Sequence, residues 1–302
     1  VSVVLLSGGT GGAKLARGLY DLLGEELAVI ANTGDDIEIH GAYVSPDPDL
    51  VSYWLADRID ERGWGIAGDS FAAMEMLREL GNEVSFSLGD RDLAFCLERR
   101  RLLDRGATLS QAHATLTRAL GVGAQVIPMS DERIRTTIRS GEEILSLHDF
   151  LIGHGGLAPI DAVIFDGAAQ ANGSPAALAA LSAARAIIIG PSNPIISIGP
   201  ILAIEAIRTA VAGSPAPVVA VSPIVGGEVL KGPTAACMAW AGVSADAGGV
   251  ARHYGPLLDA IVADEPVEGI RLLQCDTRMR DSASRRRVAA QTLEFAAAVS
   301  TP

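Results

Sequence analysis

The chain has 302 residues, of which 49% are hydrophobic and 20% charged, with a formal net charge of -12. That length and composition suit one α/β domain carrying an insertion, or two domains, around a large buried core. The acidic balance argues against nucleic acid and anionic membranes as partners, so an anionic substrate must be met by local cations, helix ends or a metal.

Val1–Leu23 reads as strand, glycine turn and helix. Val3–Leu6 is a short apolar run that suits a buried strand. Ser7–Gly12 holds four glycines, Gly8, Gly9, Gly11 and Gly12, around Thr10. Beyond it Leu15, Leu19, Leu22 and Leu23 recur at helical spacing. Such a turn brings free N–H groups and the positive end of a helix dipole to one point, and the missing Cβ atoms let a phosphate come close. Lys14 adds a positive charge in the first turn. The spacing is neither a Walker A loop nor G-x-G-x-x-G, and the competing reading is a tight turn that binds nothing.

Leu27–Ala31 is a second strand, and Asn32–Asp36 (NTGDD) puts Asp35 and Asp36 at its carboxyl end, where open α/β sheets bind ligands. Ile37–Val44 leads into Ser45–Asp49 (SPDPD), where Pro46 and Pro48 are expected to hold an extended or turned loop. Helical spacing follows in Leu50–Ile59, in Ser70–Leu80 with Asp69 or Ser70 as N-cap, from LGDRD (Leu88–Asp92) towards Arg101, and in Ser110–Leu120 with Ser110 as cap. Residues from about 50 to 120 therefore read as a helical insertion or cap within a single domain spanning 1–302.

Gln125–Pro128 is a strand ending in Met129–Asp131, and Arg133–Ile138 with Glu143–Ser146 reads as a hairpin around Ser140-Gly141. Ala162–Phe165, Ala186–Ile189, Val218–Val221 and Ala260–Val262 are further strands, and Ser174–Ala184 and Ser282–Val299 are helices. Short apolar strands alternating with helices predict a doubly wound, mostly parallel, Rossmann-like α/β sheet. Its glycine- and proline-rich loops then gather along one edge and form one cleft.

Asp35, Asp36, Asp47, Asp49, Asp90, Asp92 and Asp131 fall in loops or loop–helix junctions, with no His-Cys cluster beside them. A metal here is expected to be hard and oxygen-loving, with Mg2+ favoured. Asp49 stands out because prolines fix its loop, and Asp36 comes second. Asn at position 49 is expected to weaken a metal site without unfolding the chain. Arg91 either bridges carboxylates or meets substrate. Ser192, Asn193 and Ser197 can hold a second phosphate or a nucleobase edge, and Lys231 can neutralise a phosphate. His40 is the tempting acid–base group, because His113, His148, His154 and His253 have no suitable sequence neighbour. The scattered cysteines, Cys96, Cys237 and Cys275, show neither metal spacing nor a disulfide framework. With no membrane-length apolar run and no signal-peptide pattern in Val1–Leu6, a reducing cytoplasm is the expected location.

SGGTGG followed in order by NTGDD, SPDPD, LGDRD, PMSD, IGPSNPIISIGPIL and AVSPIVGG resembles the 2-phospho-L-lactate transferase (CofD/FbiA) family of deazaflavin coenzyme F-420 biosynthesis. The resemblance runs from Leu5 to about Asp276. It implies a guanosine diphosphate donor carrying lactate or a related three-carbon acid. The acid-bearing phosphoryl group passes to the primary hydroxyl of the ribityl chain of deazaflavin Fo, GMP leaves, and F-420-0 or its dehydro form results. It also implies Mg2+, an α/β core and a homodimer. Asp49 becomes the implied catalytic residue, at the metal with Asp36 and at the deazaflavin with Ser87 and Asp90. Gly8, Gly9, Thr10, Gly11, Gly12, Lys14, Ser192 and Asn193 become the nucleotide side. Ser87 stands where relatives often carry a basic residue, and Cys96 where histidine is common. A related group, the gluconeogenesis-factor proteins, shares the glycine loop but regulates and binds nucleotide sugars. The carboxylates of SPDPD favour the transferase over that reading. A nicotinamide dehydrogenase fits less well, since the glycine pattern is off and the second strand ends in NTGDD.

Overall fold

Seven short strands form one parallel sheet in the computed structural model, which describes residues 2–230 and 232–299. They are β1 (Ser2–Ser7), β2 (Leu27–Ala31), β3 (Gln125–Pro128), β4 (Ala184–Ile189), β5 (Val218–Val221), β6 (Ala260–Ala263) and β7 (Arg271–Gln274). Their order is β7-β6-β5-β4-β1-β2-β3, with Val3 opposite Leu27 on one side and Ala186 on the other. Successive side chains of a strand point to opposite faces. Val4, Leu6, Ile30, Ile187 and Ile189 accordingly enter one core, and Val3, Leu5, Val29, Ile188 and Val262 enter the other. Helices cover both faces, which is why these strands read as unbroken apolar runs. Helix α1 (Gly9–Leu23) covers the second core beside the last helix, Ser282–Val299. Gly18 allows this close contact, because a Cβ there would stand 2.4 Å from the Arg285 carbonyl oxygen.

The chain winds outward from β1 to β3, returns to β4 beside β1, then winds the other way. The carboxyl ends of β1 and β4 therefore flank the topological switch point, where the following loops diverge and leave a crevice.

Between β2 and β3 lie a hairpin (Ile37–Ile39 with Ala42–Val44) and four helices. These are α2 (Pro46–Leu55), α3 (Ala72–Glu79), α4 (Asp90–Asp104) and α5 (Leu109–Ala119). SPDPD is not a loop: it is the first turn of α2. The first N–H groups of a helix have no intrahelical partner, so Pro46 and Pro48 lose nothing there, and Asp47 and Asp49 suit the helix dipole. The caps also differ from expectation. Thr108 and Gln111 form a capping box on α5, and the Ser110 N–H donates to Asp131 instead. Asp69 and Asp90 cap each other's helices. The Asp90 carboxylate accepts from the Ala72 and Ala73 N–H groups at the start of α3, and Asp69 accepts from those of Arg91 and Asp92 on α4. Arg91 itself donates to the Ala67 carbonyl oxygen.

Between β3 and β4 the expected hairpin appears as Arg135–Ser140 with Glu143–Ser146. Ala162–Asp166 completes this three-stranded antiparallel side sheet and takes no place in the main one. Among the described residues no helix is long and apolar enough to cross a membrane.

Candidate functional site

A cavity of about 470 Å³ occupies the switch-point crevice. Gly8–Gly11 and Lys14 line it from α1, and Pro191, Ser192, Asn193 and Ser197 line it from the loop after β4. Gly9 has φ +63°, a conformation glycine adopts without steric cost. Gly11 meets the β4 loop so closely that a Cβ would stand 2.0 Å from the Pro191 carbonyl oxygen. A side chain at Gly11 would displace that loop before it affected any ligand. Gly12 turns away from the cavity, where its Cβ position is filled by the side chains of Ser7 and Ser192. The Gly8 N–H donates to Ser192 Oγ (3.2 Å), and the Asn193 carbonyl oxygen of the side chain accepts from the Ile195 N–H (2.9 Å). Lys231 lies outside the described residues.

Carboxylates converge on the glycine loop from β2 and α2. The Gly9 N–H donates to Asp47 Oδ1 (2.5 Å), and Asn32 Nδ2 donates to Asp47 Oδ2 (3.0 Å) and Asp35 Oδ1 (3.4 Å). Ser45 Oγ donates to Asp36 Oδ1 (2.8 Å). Burial pushes Asp36 up to about 7 and Asp47 to about 6. Burial, then the charges of Asp47 and Asp36, push Asp35 well above the usual carboxylate range. Several polar atoms buried here have no hydrogen-bond partner among the described residues, Ser7 Oγ, Thr33 Oγ1 and Thr136 Oγ1 among them, whereas Asp36 also meets the Tyr43 hydroxyl and the Arg135 charge, and Asn193 meets Cys237. Such atoms are rare in folded proteins, and together they mark a place where a ligand, ion or water belongs.

Asp49 lies one helical turn into α2, 4% exposed. The fully buried guanidinium of Arg99 on α4 grips both its oxygens: Nη1 lies 3.0 Å from Oδ2, and Nη2 makes the shorter contact to Oδ1. Burial pushes the Asp49 pKa up, and Arg99 opposes that shift. The Ser45 N–H also donates to Asp49 Oδ2 (3.3 Å), so Ser45 joins Asp49 to Asp36. His113 Nδ1 lies 3.4 Å from Arg99 Nη2, and its Nε2 lies 3.0 Å from Ser52 Oγ, which itself donates to the Pro48 carbonyl. That set suits a neutral ring with its proton on Nε2, and burial and then the Arg99 charge hold the His113 pKa well below its usual value. The oxygen atoms of Asp49 and Asp92 and the sulfur of Cys96 lie within 4.8 Å of one another. Tyr53 donates to Asp92 (2.7 Å), and burial, then Asp49, raise Asp92 to about 6. Burial and the Asp49 charge hold Cys96 as a thiol, so the soft thiolate ligand is lacking.

The structure thus brings Gly8, Gly9, Thr10, Gly11, Lys14, Ser192 and Asn193 to one cavity, with Asp47 bonded to the Gly9 N–H, Asp35 joined to Asp47 through Asn32, and Asp36 held on Ser45. Ser87 and Asp90 sit apart: Ser87 Oγ accepts from Arg78 (2.6 Å), and the Asp90 carboxylate is committed to capping α3. His40 bonds the Phe86 carbonyl and not a carboxylate. His113 and Arg99 are the residues sequence reading missed. Arg99 sits in the charged run Glu98–Arg101, which reads as a solvated helix face.

The chain matches the family model described as 2-phospho-L-lactate transferase CofD over residues 3–293. It is 40% identical over 265 residues to the 2-phospho-L-lactate transferase of Methanosarcina mazei, covering 87% of each chain. It is 39% identical to that of Methanopyrus kandleri, covering 97% of each chain. A phosphoenolpyruvate transferase of Kitasatospora aureofaciens is 40% identical over 271 residues, with 87% of this chain and 84% of the relative covered. A UPF0052-family protein of Bacillus halodurans shares the fold, with a TM-score of 0.66 at 16% identity over 97% of this chain and 98% of that one.

Proposed function

We propose, from the premise that this chain belongs to the 2-phospho-L-lactate transferase (CofD) family and is a transferase, that it moves a phospho-three-carbon-acid group from a guanosine diphosphate donor to the ribityl hydroxyl of deazaflavin Fo. GMP is the leaving group, and the group transferred is 2-phospho-L-lactate or a related phospho-acid. One observation carries this reading. A helix N-terminus suited to phosphate is bonded directly to the buried carboxylate of Asp47, with Asp35 joined to Asp47 through Asn32 and buried Asp36 next to Asp35. Phosphate brought beside these carboxylates is favoured by a cation between them, in addition to the Arg135 charge that already acts on Asp35 and Asp36.

The residues present fit Mg2+. Asp36 and Asp35 are neighbouring carboxylates of raised pKa, with the Tyr43 hydroxyl and the Arg135 charge beside Asp36, and Cys96, near Asp49, is held as a thiol. Asp36 would hold the ion, with Asp49 across Ser45 as the neighbouring carboxylate. When bound, Mg2+ neutralises phosphate charge, which phosphoryl transfer requires. Gly8–Gly11, the helix dipole and Lys14 form the phosphate side, with the Gly8 and Gly9 N–H groups given to Ser192 and Asp47. Ser192 and Asn193 hold the other wall of the nucleotide side. Asp49, fixed by both arms of Arg99, presents a carboxylate of set orientation to the ribityl hydroxyls, so the nucleophile approaches in a defined geometry. Ser87 and Asp90 are proposed to face the deazaflavin from the α3–α4 side, Asp90 while capping α3. The helices between α2 and α5 serve as a cap within one domain, and the protein acts in the cytoplasm as a homodimer.

A ligand panel separates this reading from a regulatory nucleotide-sugar binder or a dehydrogenase. Ligand at 100 times its Kd stabilises a fold by about 2.7 kcal/mol. GDP with Mg2+ is therefore expected to raise the melting temperature by several degrees, and UDP-sugars and NAD to leave it unchanged. A response to UDP-sugars or NAD without one to GDP would reject the transferase reading.

A further inference from the structure

Trp64 is 54% exposed, on the segment that joins α2 to α3. That segment is a tight hairpin. Ile59 bridges Ile66 in antiparallel fashion, the Asp60 N–H donates to the Gly65 carbonyl (3.1 Å), and the Gly63 N–H donates to that of Asp60 (2.8 Å). The Ala67 N–H closes its base on the Arg58 carbonyl (2.8 Å). Gly63 and Gly65, on either side of the tryptophan, have φ of +87° and +71°. Backbone bonds thus hold the indole at the tip of the turn. The turn lies against the glycine loop, since a Cβ on Gly63 would stand 3.7 Å from Thr10 Cγ2. Beyond the turn, Asp69 ties the segment to the start of α4. Trp64 therefore stands on a turn that touches the glycine loop, follows directly on α2, which carries Asp49, and is tied through Asp69 to the start of α4.

We propose that Trp64 is a stacking platform for the planar ring system of the acceptor. The proposal rests on the reading that the acceptor is a deazaflavin. A tryptophan face suits a flat conjugated ring, and its two side-chain torsions make ordering it inexpensive. The nucleotide cavity continues from Thr10 towards Ser222, Thr277 and Met279. Trp64 is not among the described residues that line that cavity, and its hairpin follows directly on α2, so its ring is assigned to the acceptor and not to the nucleobase.

Equilibrium dialysis of Fo and of GDP against wild type, Trp64→Ala, Trp64→Leu and Trp64→Phe tests this. Loss of one stacked ring is expected to weaken Fo binding about 10-fold or more. Both Ala and Leu should show that loss, Phe should retain most of the affinity, and GDP affinity should not change. Leu keeps apolar bulk without an aromatic face, and it decides the matter if the Ala variant folds poorly. Equal Fo affinity in wild type and the Leu variant would overturn the stacking role while leaving the deazaflavin reading intact. A loss confined to GDP would overturn it in favour of the nucleobase. No Fo binding by wild type would reject the acceptor reading itself, and the Trp64 proposal with it.

Discussion

Asp49→Asn is expected to destabilise the fold by about 3–5 kcal/mol, because it leaves the Arg99 guanidinium buried without a counter-charge. This differs from what a loop-borne carboxylate would do, and the difference comes from α2: Asp49 is a helical residue packed against a fully buried arginine. Turnover is expected to fall by ~10²-fold or more, the usual scale for losing an oriented electrostatic contact at the reacting groups. Stability and activity can be separated. Arg99→Met alone should destabilise the fold by a similar amount, since it strands the carboxylate. The double variant Asp49→Asn with Arg99→Met should recover much of the stability, because a buried ion pair is often replaceable by uncharged groups. It should recover none of the activity. Urea denaturation and single-turnover rates measure the two quantities. A single variant as stable as wild type would show that Arg99 does not depend on Asp49. A double variant with wild-type turnover would remove Asp49 from the reaction.

Asp36→Asn is expected to do the opposite to stability. Burial lifts the Asp36 carboxyl from the ordinary 3.8 to about 7. A group raised in the folded state contributes stability that is fully present below its unfolded pKa and is lost as pH rises through its folded pKa. Above about pH 7 the charged carboxylate therefore opposes folding, by up to about 4 kcal/mol for a shift of this size. Asparagine removes that charge and can still accept the Ser45 hydroxyl. The variant should melt higher than wild type at pH 8, and the two should converge towards pH 4. Mg2+ should stabilise wild type more at pH 8 than at pH 5.5, since below the folded pKa a proton occupies the carboxylate. It should stabilise the variant little at either pH, and Mg2+-dependent turnover should fall by roughly 10²-fold. A variant that melts lower than wild type at pH 8, or that responds to Mg2+ as wild type does, would move the metal away from Asp36.

Much of this arrangement is legible in the residues. The turn Ser7–Gly12 announces a strand, a phosphate-compatible bend and a helix, and the short apolar strands announce a sheet covered on both faces. Strand β7 is not legible, because Arg271–Gln274 is an edge strand with polar ends and no apolar run. The start of α2 is hidden because two prolines in five residues read as a loop, although the first helical turn accepts them. The pairing of Asp49 with Arg99 and His113 is hidden for a different reason. It joins residues about 50 and 60 positions apart in the chain through the packing of α2, α4 and α5, and local pattern carries no trace of such distances. Asp69 and Asp90 show the same limit in a milder form, since each looks like the cap of its own helix and each caps the other's.

The proposed reaction transfers a phospho-acid group from nucleotide to deazaflavin within the switch-point crevice. Purified protein should be incubated with Fo, Mg2+ and, in separate reactions, the guanylylated forms of 2-phospholactate, phosphoenolpyruvate and phosphoglycerate, with products followed by mass spectrometry. At least the 2-phospholactate donor is expected to give Fo increased by the mass of the phospho-acid group, with GMP in equal amount. GMP release without any modified Fo, or no product from all three donors while GDP binds, would contradict the account.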